Sequence, residues 1–236
     1  MKCSHYKLGY FLGLAVLVSG CASDYKQAAL SAESPHIVDF SGNWELDYER
    51  SEHPNDKLRY LYEVTRSQIL QQQAMQRDSM KSGRVSPGAV NSAAINTLQG
   101  VIGLGQLAEQ ITRSNMLTIQ QTLTNIAVQR DGDFTLTCDF LSETTIDNPL
   151  GHESCGWQGD HLIFNVSLPE GLNVHHRLVL SGNGKRLNIA TTVSSSQIRQ
   201  PFTLNRVFMP FEPGQGLYDC EYTLAKKKTC RLGSSE

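Results

Sequence analysis

Between residues 116 and 209 the chain falls into short segments that alternate apolar with polar side chains, and this alternation leaves few folds open to it. The segments cover 116–120, 125–130, 134–140, 154–158, 161–168, 174–180, 186–193 and 202–209. They are rich in β-branched and aromatic residues, which suit a pleated surface. Asp131-Gly132-Asp133, Gly159-Asp160 and Gly182-Asn183-Gly184 between them supply the positive φ that tight hairpins need. A period of two assigns the faces. Phe134, Leu136, Cys138 and Phe140 share one side of their strand, and Leu162, Phe164, Val166 and Leu168 share one side of another. Leu187, Ile189, Thr191 and Val193 do the same in a third. One apolar face and one wet face mean an antiparallel sheet, and a long sheet of this kind must curl on itself or pair to protect its edges. The expected fold is mainly β, an antiparallel meander closing into a barrel of about 8–9 strands.

A first strand is expected over 37–48, where Trp44, Leu46 and Tyr48 alternate and Phe40 shares their face unless Gly42 bulges the strand. An insertion of about 54–114 separates it from the meander. Pro54-Asn55-Asp56 opens a helix with Leu58, Leu61, Tyr62, Thr65 and Ile69 on one face. Gly83 and Pro87 break the pattern. A second helix, over 93–113, carries Ile95, Leu98, Ile102, Gly105, Ala108 and Ile111 at helical spacing. The two form a hairpin that must bury one side, and it is expected across a barrel end. Gly103-Leu104-Gly105-Gln106-Leu107-Ala108 has the letters of a dinucleotide fingerprint without the strand and βαβ unit that motif requires. Its small residues read instead as a close helix contact.

At the N-terminus, Lys2 and Lys7 precede the apolar run 10–18, too short to span a membrane permanently. Val18-Ser19-Gly20-Cys21 then resembles the lipobox of bacterial lipoproteins. That resemblance implies a signal peptide over 1–20 and a lipidated, palmitate-bearing Cys21 as the mature N-terminus. It also implies an outer-membrane, periplasm-facing location, because Ala22 stands where an aspartate would favour inner-membrane retention. Residues 21–36 are read as anchor and tether, 37–211 as a single barrel domain with its insertion, and 212–236 as a C-terminal tail. Loss of residues 1–20 leaves 216 residues with 19 basic and 23 acidic side chains, a formal charge of −4. No basic patch for nucleic acid is present in that balance.

Four of the six cysteines remain once Cys3 leaves with the signal and Cys21 takes lipid. An even number in an oxidising compartment points to disulfides, and four cysteines allow three connectivities. The local pairing Cys138–Cys155 and Cys220–Cys230 is expected, since the first pair lies in consecutive strand segments and the second closes a short loop. A tetrathiolate zinc site lacks the usual C-x₂-C spacing.

Gly42-Asn43-Trp44 resembles the G-x-W opening strand of lipocalins and other calycins, whose closing strand carries an arginine stacked on that tryptophan. Arg206, in Phe202-Thr203-Leu204-Asn205-Arg206-Val207, is similar in position, which implies a lipocalin-like barrel with a Trp44–Arg206 cation–π contact at one end. Along most of its length the chain resembles uncharacterised proteobacterial outer-membrane lipoproteins carrying the same stretches at 41–47 and 201–206.

Catalytic signatures are missing: there is no G-x-S-x-G, H-E-x-x-H, S-x-x-K or C-x-x-C. His175 and His176 point to opposite faces of one strand and do not readily share a metal. The sequence therefore names no catalytic residue, no metal site and no cofactor. It points to a binding module for a small apolar or lipid-like ligand, with Phe134, Phe140, Trp157, Phe164 and His176 as pocket residues. The alternative is an envelope interaction protein with a filled barrel and a docking helical hairpin, and an enzyme of unknown class ranks behind both.

Overall fold

The computed structural model describes residues 29–80, 87–130, 135–141, 145–149, 151–212, 218–223 and 227–232. The alternating segments form strands. β1 (Gly42–Leu46) is followed by α1 (Pro54–Met80) and α2 (Pro87–Ile111). Then come β2 (Met116–Gln121), β3 (Asn125–Arg130), β4 (Leu136–Asp139), β5 (Thr145–Asn148) and β6 (Gly151–Gln158). β7 (His161–Leu168), β8 (Leu172–Leu180), β9 (Leu187–Ser195) and β10 (Ile198–Pro210) complete one antiparallel sheet in the order β4-β3-β2-β1-β10-β9-β8-β7-β6-β5. β11 (Tyr218–Thr223) and β12 (Lys227–Leu232) pair with each other, and their register sets Cys220 opposite Cys230. The side chains of those two cysteines lie outside the described residues.

β1 pairs with both β2 and β10, so hydrogen bonds join the first strand to the last. The opening in the wall lies in the middle of the chain instead, between β4 and the β5–β6 hairpin. There the sheet curls until Cys138 of β4 and Cys155 of β6 form a disulfide across the gap, with their Cα atoms 5.8 Å apart. Nine strands make this nearly closed barrel, and the short β5 extends the β6 edge. β5 carries no strand signal in its sequence, because its four residues are bracketed by turn formers. It forms by pairing 145–148 onto 151–154.

The N-terminal segment secures one part of the same gap. Ser31 exchanges both backbone hydrogen bonds with Trp157 at 2.8 Å, on a stretch of β6 that β5 does not reach. Gly156 permits this approach: its φ is +152°, and a Cβ there would lie 2.9 Å from the Ser31 carbonyl oxygen. The tether expected over 21–36 is thus held to the barrel from Ser31 onward. Residues 37–41, expected as strand, leave the sheet, and Gln121 replaces their strand partners by accepting from Phe40 N–H and donating to the Val38 carbonyl. Gly42 has a φ of +133°, yet Phe40, Trp44 and Leu46 all reach the same core.

The interior is divided into two apolar clusters. The larger joins Phe40, Trp44, Ile126, Phe140, Trp157 and Phe208 with their aliphatic neighbours; Trp157 stacks on Phe40 with ring centroids 5.9 Å apart and meets Phe140 at 5.8 Å with the rings tilted by 33°. The smaller packs Leu104 and Ala108 of α2 on Val174, Val193, Phe202 and Leu204, with Leu58 and Leu61 of α1 behind. The helical hairpin therefore covers one end of the barrel. Gly105 is buried, and a Cβ there would lie 2.6 Å from Leu58 Cδ1, so its small size lets α2 approach α1; Ala108 is fully buried. Gly103 meets nothing within 4 Å, so only part of the small-residue motif makes the close contact. Both helices reach further toward their connection than the apolar spacing implies. The Gln/Met/Ala-rich end of α1 has high helix propensity, and Pro87 is pre-set for a first helical position.

Candidate ligand cavity and its polar waist

A cavity of about 900 Å³ opens beside the disulfide, within the size range of small-molecule sites. β3 and β4 wall one side, β6 to β8 the other, and Leu107 and Ile111 of α2 face into it. Its apolar lining includes Ile126, Leu136, Phe164, Val166, Leu168 and Val174, and both half-cystines are part of the wall. The exposed Asp139 and Glu153 also line it. The cavity lies where the two sheet edges are joined by the disulfide and not by a strand ladder.

Of the pocket residues expected from sequence, Phe164 and His176 line this cavity. Phe140 and Trp157 are not among its lining residues; with Phe40 they fill the larger core cluster. Their strand parity is inward as expected, but inward also describes the packed half of the barrel. Phe134 lies outside the described residues.

Between the two clusters runs a polar waist. On β8, Val174 belongs to one cluster and Leu178 to the other, with His176 between them. On β9, Thr191 stands likewise between Val193 and Ile189, and on β10 Arg206 stands between Leu204 and Phe208. Arg130 continues the inward face of Ile126 and Val128 on β3. His176 Nδ1 and Thr191 Oγ1 are 2.8 Å apart, so these two buried groups satisfy each other and do not need a ligand to do so. Burial, then the charges of Arg130 and His175, push the His176 pKa down to about 3, which leaves the ring neutral near pH 7. His175, on the outer face, hydrogen-bonds Asn165 at 2.6 Å.

Arg130 donates to the Ile111 carbonyl at 3.0 Å, placing a cation at the C-terminus of α2, where the helix dipole favours it. A second, water-sized cavity of about 20 Å³ lies between Arg130 and Arg206, with Ser114 and Thr191 in its lining. Burial lowers the Arg206 pKa while Tyr48 and Glu109 oppose that shift, and its buried Nε has no hydrogen-bond partner. Guanidinium remains charged under such conditions.

Arg206 does not stack on Trp44. The register sets Trp44 opposite Pro210, four residues from Arg206 or roughly 13 Å along the strand. The indole turns the other way, donating from Nε1 to the Phe40 carbonyl at 2.9 Å. Sequence reading gave Arg206 that contact and passed over Arg130, although its parity with Ile126 and Val128 marks it as inward. Among the described residues, no three His, Cys, Asp or Glu side chains gather as metal ligands. Cys21 lies outside the described residues.

A nearly closed antiparallel barrel capped by helices is consistent with a calycin-like fold. Compared with known proteins, the chain matches no protein-family model and no curated protein.

Proposed function

We propose that this protein is a non-enzymatic, lipid-anchored envelope protein that holds a small hydrophobic or lipid-like molecule in the cavity beside the disulfide. The observation that carries the reading is the 900 Å³ space, in whose wall Ile126, Leu136, Phe164, Val166, Leu168 and Val174 form an apolar surface beside polar residues at the rim. A well-packed barrel interior leaves few voids larger than a water molecule, so a space of this size suits an occupant. The competing reading, an interaction module, draws on the packed larger cluster and on exposed Tyr60, Leu70, Met75 and Ile95 of the helical hairpin.

Displacement of a neutral, environment-sensitive fluorescent probe by apolar molecules separates the two. The wild type should bind the probe saturably. Phe164→Arg, which puts a long charged chain into the cavity wall, should weaken binding at least about ten-fold, since burying an unpaired charge beside the probe opposes it. No saturable binding, or equal binding by the variant, would transfer the proposal to the interaction module.

The anchor reading rests on the lipobox-like stretch ending at Cys21. Ten residue steps separate Cys21 from Ser31, a reach of at most about 35 Å, so an anchored barrel would stay close to the lipid surface. Cys21→Ser should abolish metabolic acyl labelling and release the protein from membranes. Unchanged labelling and retention would remove the anchor from the proposal.

A further inference from the structure

We propose that the barrel end opposite the helices is a lipid-contacting surface, on which Ile37, Leu123 and Leu141 enter the interfacial layer of a bilayer while the helical cap points away from it. These three aliphatic side chains are 103%, 98% and 79% exposed. Exposed apolar side chains scattered singly are ordinary, but these three share one end of the molecule. Leu123 is in the β2–β3 turn, and the Thr124 carbonyl of that turn accepts from Phe140 N–H at 2.8 Å, which brings Leu141 close to it. Gln121, the last residue of β2, bonds both Phe40 N–H and the Val38 carbonyl, which places Ile37 at the same end. Polar side chains hold the two leucine tips. Thr122 Oγ1 accepts from the N–H groups of Thr124 and Asn125, and Asp139 Oδ1 accepts from that of Leu141. A leucine adds nothing to such a turn that a polar turn former would not supply.

The N-terminal segment indicates what stands against this end. Antiparallel register puts the β6–β7 turn at the same end as the β2–β3 turn, through Gly42 opposite Ile119, Trp44 opposite Pro210, Leu187 opposite Phe208 and Leu180, and Leu162 opposite Leu178. Ser31 pairs with Trp157 just before that turn. Ser34 Oγ donates to the Gly159 carbonyl at 3.4 Å, and His36 Nδ1 lies 2.8 Å from Asp160. The stretch carrying the apolar run 10–18 and Cys21 therefore joins the fold at the exposed end. The inference goes beyond the ligand cavity and rests on the anchor reading for its occupant. Side chains this exposed stand clear of their neighbours, so they offer a protein partner no continuous flat patch. A bilayer interface takes separate aliphatic tips, each gaining as its area leaves water. Charge here is mixed, with Lys185 and Arg186 of the β8–β9 turn set against Asp39, Asp139, Asp160 and Glu212. The attraction is then apolar, and anionic headgroups are not its source.

The experiment places a fluorescent reporter at each end. Both native tryptophans, Trp44 and Trp157, are buried, so an added exposed indole reports above a low background. Leu123→Trp marks the proposed contact, and Leu70→Trp marks the exposed side of α1, close to the Gln68–Gln200 bond at the other end. The full chain is purified from membranes and returned to phosphatidylcholine vesicles whose acyl chains carry bromine, a short-range quencher. At least about half of the added Leu123→Trp emission should be lost, against less than about a tenth for Leu70→Trp. The difference should persist in raised salt and need no phosphatidylglycerol. An Ile37→Trp reporter should be quenched likewise, and should lose most of that quenching when Leu123 and Leu141 are both replaced by aspartate. All these positions are exposed, and a thermal melt establishes that each variant is folded. Equal quenching at the two ends, quenching at Leu70→Trp alone, or a strict need for phosphatidylglycerol would overturn the inference. An unquenched Leu123→Trp with dimerisation abolished by Leu123→Asp would assign this end to a second copy of the chain instead. Acyl labelling of Cys21 is read on the same samples. A labelled protein with an unquenched reporter overturns this inference alone, whereas an unlabelled protein with a quenched one removes only the anchor.

Discussion

Replacing Cys138 and Cys155 with serine should lower the free energy of unfolding by about 2–4 kcal/mol, the range expected for a cross-link closing a short loop. The bridge spans a sequence separation of 17 residues. Its effect includes a local component that loop entropy does not describe. β4 hydrogen-bonds to β3 on one side, and its other edge faces the gap, where the disulfide is the covalent tie to β6. Ser31 holds β6 at Trp157, but it leaves β4 free of that ladder. The double variant should therefore show its largest gain in amide hydrogen exchange on β4, with smaller changes in β10 and β9 at the centre of the sheet. Urea titration of both proteins under oxidising conditions measures the global loss. A change below about 0.5 kcal/mol, with β4 protection intact, would show that packing alone closes the wall. Because Cys138 and Cys155 both line the large cavity, the same variant should also change probe affinity.

Acid should destabilise the barrel through His176. Its ring is buried and neutral in the folded protein, with a pKa pushed down to about 3, against an ordinary value of 6.5. Between those two values the unfolded chain binds a proton that the folded chain does not, so stability rises with pH across that window and falls on acidification. At pH 7 neither state is substantially protonated and the full stability is present. Below pH 6.5 the loss should be on the order of 1 kcal/mol per pH unit, continuing toward pH 3. Carboxylates contribute to acid unfolding as well, so the informative quantity is the difference from His176→Gln, whose side chain can keep a hydrogen bond to Thr191 but does not titrate. Urea unfolding of both proteins at pH 7, 6, 5 and 4 should give curves that converge and then cross in favour of the variant. Parallel stability profiles would show that His176 titrates normally and that the waist is wetter than its burial indicates.

Much of the barrel was legible along the chain because strand structure has a period of two. Asn125–Arg130 and His161–Leu168 have the ends that alternation assigns them. The cysteine pair across the gap followed from its placement in segments that a meander brings near each other. β5 was not legible, since its pairing comes from the neighbouring strand rather than its own composition. Trp44 and Arg206 show a different limit. Matching letters near the two ends of a sheet say nothing about register, and an offset of four residues removes a contact that depends on a few ångströms.

The sequence by itself determined which side of each strand faces inward, because parity is a local property of the pleated chain. It also determined that two helices follow the first strand, because their apolar faces and proline start are local too. Only the tertiary structure decided what the inward side chains do. Phe140 and Trp157 became core while Phe164 became cavity wall, and four polar groups from four strands met in one waist. That outcome depends on where the sheet fails to close and where α2 lies across it. Both arise from contacts distant along the chain, and no periodicity within a single strand encodes them.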